Sequence, residues 1–198
     1  MIALVMSVSL PMTTYAANWY LEDGSVTVNA DNSGQTVTQG GGSAVPDEAP
    51  VITQRESSVE TGNTIAISTS DNAAANVTIK DINIKSSNDA IDVKGSSSAN
   101  ITLEGDNKIF SETGSALHIS DGNVTINGSG SLKAEIQDDP FGYNHNAKIG
   151  SHENEDMSGS IHITGDATVK TDDNIAPNCG GDGAGIGTGE DGLSLIHI

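Results

Sequence analysis

Apolar residues along this chain come in short alternating pairs separated by polar turns. From Ala75 to Gly130 they are Val77 and Ile79, Ile82 and Ile84, Ile91 and Val93, Ile101 and Leu103, Ile109, Leu117 and Ile119, Val124 and Ile126. A period of two with β-branched enrichment predicts strands that bury one face. The intervening Gly, Ser, Asn and Asp favour turns, because they reach positive φ or bond their own backbone.

One phrase recurs within this stretch. It reads NVTI at Asn76 to Ile79, NITL at Asn100 to Leu103 and NVTI at Asn123 to Ile126, with starts about 23 to 24 residues apart. Three strands and three turns in that length predict one coil of a parallel β-helix, whose coils stack at about 4.8 Å. The expected fold is therefore all-β, a right-handed parallel β-helix (solenoid) of about five or six coils with three short strands per coil. Val77, Ile101, Val124 and Ile161 should then pile above one another. A β-sandwich is the competing class, but it would not make side-chain types recur once per coil.

The flanks divide the chain further. Residues 1–17 read as a signal peptide: an apolar run over 2–10 precedes small residues at Ala16 and Ala17, is too short to span a bilayer, and predicts a secreted or cell-surface protein. Its usual positive start is missing, since the first basic residue is Arg55, so the true start is expected upstream of Met1. Residues 18–60 form an N-terminal capping region, with strands at Val26 to Val28 and Gln35 to Thr38 and a Pro-rich loop from Ala44 to Pro50. Residues 61–192 carry the repeats. Two insertions, Asp138 to Asn146 and Ser151 to Gly159, flank Ile149 and delay the fourth phrase, SIHI, to Ser160. Residues 193–198, LSLIHI, depart from the acidic, Gly-rich composition and read as a non-native tail.

Charge narrows the partners. With 27 acidic against 8 basic residues the formal net charge is -19, which excludes nucleic acid and disfavours anionic membrane surfaces. The single cysteine, Cys179, excludes an internal disulfide and CxxC metal sites. Against this acidic background Lys85, Phe110, Lys133 and Lys170 fall at outward positions of the second strand, with Lys108 just before Phe110. Those lysines are half of all basic residues, and placing two of them about 4.8 Å apart costs about 1 kcal/mol even in water. A bound uronate would reverse that sign, and Phe110 could stack on a sugar face. Lysines that merely guard an exposed sheet are the plainer reading.

Other residues offer less. Phe141, Tyr143, Asp138 and Asp139 share the first insertion and could form a sugar platform with calcium, the one cofactor the sequence suggests; a solvated loop is the alternative. Asp92, His118 and Lys148 are expected in one outward row on the third strand, compensating one another. Arg55 reads as a solvated loop charge, and His152 and His162 as exposed residues without partners.

Several phrases carry a family likeness. AKIGS at Ala147, SGSIHITGDATV at Ser158 and DGAGIGTG at Asp182 resemble glycine-rich β-helical repeats of surface proteins of gut bacteria. SSNDAIDVKG at Ser86 and NITLEGDNKI at Asn100 resemble carbohydrate-binding parallel β-helix domains of Firmicutes-type secreted proteins. The resemblance implies binding of acidic polysaccharides or adhesion, with calcium sometimes involved. Asn88 to Asp92 also resembles the NTDGID segment of pectin-cleaving hydrolases, which need a second acid on a neighbouring coil. In register, Ser115 and Gly114 would lie beside Asp89 and Asn88, and neither is an acid. The expected function is accordingly a non-catalytic carbohydrate-binding or adhesin-like module. A pectate-lyase-like or pectin-hydrolase-like enzyme and a structural surface stalk are the alternatives.

Overall fold

The computed structural model describes residues 16–70, 72–137, 145–171 and 184–188, and the backbone of 195–197. The expected signal peptide up to residue 15 lies outside the described residues, as do Asp138, Asp139, Phe141, Tyr143 and Cys179.

An N-terminal group comes first: β1 (Asn18–Tyr20), β2 (Val26–Asp31), β3 (Gly34–Gln39), β4 (Val45–Pro46), β5 (Val51–Thr53) and β6 (Ile65–Thr69). The repeat region then supplies β7 (Ala74–Lys80), β8 (Asn83–Ser86) and β9 (Ile91–Lys94), followed by β10 (Ser98–Glu104), β11 (Asp106–Ser111) and β12 (Leu117–Ile119). After these come β13 (Asn123–Gly128), β14 (Ser131–Ile136), β15 (Ile149–Gly150), β16 (Ser160–Ile163), β17 (Thr168–Thr171), β18 (Ile186–Gly187) and β19 (Leu195–His197).

The strands form three sheets, and from β7 onward the chain visits them in rotation. The first sheet runs β1-β5-β7-β10-β13-β16-β19, the second β17-β14-β11-β8, and the third β18-β15-β12-β9-β6-β2-β3-β4. Every pairing is parallel except β2 with β3 and β3 with β4. The expected all-β class with parallel strands is present. Between the sheets lies one apolar cluster that includes Ile79, Ile84, Ile91, Ile101, Ile109, Leu117 and Ile126, each at most 1% exposed.

The columns inside this core differ from expectation by an even slip. Val77 pairs with Ile101 as foreseen, but Ile101 pairs with Ile126 and Ile126 with Ile163, whereas Val124 and Ile161 continue the column of Ala75 and Ala99. A slip of two keeps every apolar residue on its own face, so alternation alone cannot detect it. The second sheet slips likewise: Ile109 lies beside Ala134, and Leu132 beside Asn107. Asn107 is only 1% exposed, and its amide donates to the carbonyls of Glu104 and Ser131, both at 3.0 Å. An inward asparagine fills a core position that a search for apolar pairs passes over.

The N-terminal region adds a hairpin to strands that continue the parallel stacking, with β5 beside β7, Thr61 bridged to Ile84 and β6 beside β9. β2 joins the third sheet in parallel with β6, and β3 folds back on β2. Within the expected loop from Ala44, Val45–Pro46 pairs with β3. Arg55 is exposed and outside the strands, as expected, and it is also paired: its guanidinium donates to both Asp23 carboxylate oxygens at 2.9 and 2.6 Å and lies 4.2 Å from the Tyr20 ring centre. At the other end Leu195–His197, set apart by composition, pairs residue for residue with Ser160–His162.

Candidate functional site

Two outward faces concentrate charged side chains. On the second sheet the expected single row of Lys85, Phe110, Lys133 and Lys170 resolves into two rows, because of the slip described above. Asn83, Lys108, Lys133 and Lys170 form one; Lys85, Phe110 and Glu135 form the other. Three ammonium groups thus follow one another on adjacent strands. Lys108 and Lys170 are exposed, and Lys133 lies 2.9 Å from Glu135. Phe110 is half-buried, with the Lys85 ammonium 5.5 Å from its ring centre. A cavity of about 440 Å³ runs along the lysine row, from Ser57 and Ser58 past Asp106, Lys108 and Lys133 to Lys170.

On the third sheet the expected row of Asp92, His118 and Lys148 is broken. Asp92 and His118 are paired, but His118 faces Gly150, with Gly187 next. Since Gly150 carries no side chain, the space beside His118 is taken by His152 from the following segment. The two imidazoles stack with ring centres 3.9 Å apart and planes 9° from parallel. His152 therefore does not stand free as expected. His162 is half-buried on the first sheet, paired with Thr125.

Three carboxylates surround these rings. His118 Nδ1 lies 2.8 Å from Asp92 Oδ1 and 3.8 Å from Asp89 Oδ2, and its Nε2 lies 2.8 Å from Glu155 Oε2. His152 Nε2 lies 2.7 Å from Asp89 Oδ1, and its backbone N–H donates to Glu155 Oε2 at 3.1 Å. Lys94 closes the set at 2.6 Å from Asp92. Burial works against charge on His118, but hydrogen bonds to Asp92 and Glu155 outweigh it and raise its pKa above 6.5. Burial works against charge on Asp92 too, yet hydrogen bonds from His118 and Lys94 hold its pKa below 3.8. The group has a closed floor and an open side, the His118 and Asp89 side chains being 5% and 11% exposed against 33% and 35% for His152 and Glu155.

Local sequence makes room for Asp89. As the alternation predicts, Leu117 pairs with Ile91, which brings Gly114 and Ser115 beside Asn88 and Asp89. The Ser115 backbone N–H donates to Asp89 Oδ1 at 2.9 Å, and a Cβ on Gly114 would stand 2.2 Å from that oxygen. The next strand brings no acid to Asp89, only Gly114 and Ser115. The missing partners arrive from the insertion one circuit further on.

No protein-family model, no curated protein and no solved structure matches the chain. No helix among the described residues is long and apolar enough to cross a membrane.

Proposed function

We propose that the chain is a right-handed parallel β-helix of about five or six coils acting as a secreted or cell-surface, non-catalytic module that binds an anionic polysaccharide. The observation that carries this reading is the row Lys108, Lys133 and Lys170 along a cavity of about 440 Å³. In a chain of net charge -19, a polyanion has one obvious place to lie, and repeated cations at a regular spacing suit a polymer with repeated carboxylates. Lys85 and Phe110 border that row, with the ring offering one apolar surface. Charge screening makes the binding weaken as salt rises.

The test is retention of the chain on polygalacturonate, in affinity gels at low and high salt. Replacing Lys133 and Lys170 by Glu should abolish retention, while Lys80→Glu on the first sheet leaves it unchanged. Retention that survives the double exchange removes the lysine row as the binding surface. The same incubation distinguishes the enzyme reading, which requires release of unsaturated or reducing ends, and a stalk, which neither binds nor cleaves.

A further inference from the structure

We propose that Asp89, His118 and His152 form a binding site for one divalent transition-metal ion of the zinc type, with Glu155 as the positioning residue. The three side chains offer donor atoms that all lie within 4.8 Å of one another. Zinc at about 2.0–2.1 Å from each donor would hold them about 3.3 Å apart, so the wider pairs close by up to about 1.5 Å while the 2.7 Å contact of Asp89 with His152 opens. Among the described residues no other group of three or more His, Cys, Asp or Glu side chains gathers so closely.

The surroundings match what such an ion requires. His118 presents Nδ1 toward Asp89, while Glu155 holds Nε2 at 2.8 Å, the carboxylate support that fixes a metal-binding imidazole in the right tautomer. Asp92, 2.8 Å from the same Nδ1, stands ready as a further oxygen donor. With both imidazoles neutral, as ligands must be, three carboxylates and one lysine leave two negative charges, which one divalent cation balances. Two nitrogen donors select a borderline metal over calcium, which takes oxygen ligands.

One rearrangement follows from the geometry. In a stack only 9° from parallel, no point within bonding distance lies in both ring planes, so His152 has to tilt before its lone pair aims at the ion that His118 binds. It is the member with freedom to do so. The site is independent of the lysine row, which lies on a different sheet.

The full chain, stripped with chelator, should take up one zinc per molecule in competition with a chromophoric chelator, and Co(II) in its place should give the visible bands of a low-coordinate site. His152→Gln and Asp89→Asn should each weaken binding about 100-fold or more, since losing even a supporting partner costs about 10–100-fold. His152 is partly exposed, so its variant should keep the parent circular dichroism spectrum. His162→Ala should bind like the parent. No stoichiometric uptake by the parent chain, or a loss below tenfold in either ligand variant, overturns the proposal.

Discussion

The lysine face and the histidine face are built by the same repeat, yet they handle charge in opposite ways. Lys108, Lys133 and Lys170 stand beside like charges, with Glu135 2.9 Å from Lys133. His118 is 4% exposed and has a carboxylate at each ring nitrogen. Register builds the first arrangement, because Lys108, Lys133 and Lys170 occupy equivalent positions on adjacent strands. The second needs an interruption. Gly150 leaves a gap in the row, and the segment after it sends His152 and Glu155 back over His118. A regular surface suits an extended partner, and an interruption makes a point site.

The contrast breaks most readily at His118. His118→Leu leaves Asp92 and Glu155 facing an apolar side chain, and the expected loss is about 2–3 kcal/mol in a urea melt, below the ~3–5 of a fully buried pair. Both carboxylates keep some access to water, which sets that discount. Lys133→Ala should cost no more than about 1 kcal/mol, as a half-exposed ion pair allows. Equal losses at the two positions would remove the distinction between the faces.

A smaller effect tests how Asp89 is seated. In Gly114→Ala the new methyl meets Asp89 Oδ1 and Asn88 Oδ1, at 2.2 and 2.7 Å before relaxation. Displacing them should cost about 1–3 kcal/mol, as overfilling of a packed site does. Gly62→Ala, whose nearest neighbour would be 3.9 Å away, should be close to neutral. Similar melts for the two would mean that Asp89 is not held by close approach of the turns.

Much of this was legible in the residues, and the lapses share one cause. Alternation and recurrence gave the strands, their parallel stacking and the pairing of Ile91 with Leu117. They could not give the slip of two that moves Val124 beside Ala99 and Lys133 beside Lys108, because an even shift leaves the inward face intact. Asn107, an asparagine of β11 whose side chain lies inside, marks the shifted register. The histidine cluster was only half legible. Asp89, Asp92 and His118 lie on repeat positions, but His152 and Glu155 sit in an insertion, where periodicity assigns no address. Arg55 and Asp23 come together across the N-terminal region, where the antiparallel β2–β4 hairpin interrupts the repeat.

That last pair marks the weak end of the comparison. Arg55 and Asp23 are as close as Lys94 and Asp92, yet both lie in water, so their attraction shows as a shifted titration and scarcely as stability. The bidentate hydrogen bond from Arg55 is the main influence on Asp23, and it holds the carboxyl pKa below 3.8. A carboxyl depressed by folding stabilises the native state above its unfolded pKa, and that contribution fades as pH falls through the lower folded value. Carboxyl NMR should therefore place the Asp23 midpoint below 3.8 in the parent chain and return it to the ordinary value in Arg55→Gln. Because the guanidinium also lies over Tyr20, Arg55→Lys should restore only part of the shift: a lysine brings the charge without the two-pronged fit. An Asp23 midpoint that ignores both exchanges would mean the hairpin region is tied down by its backbone pairing alone.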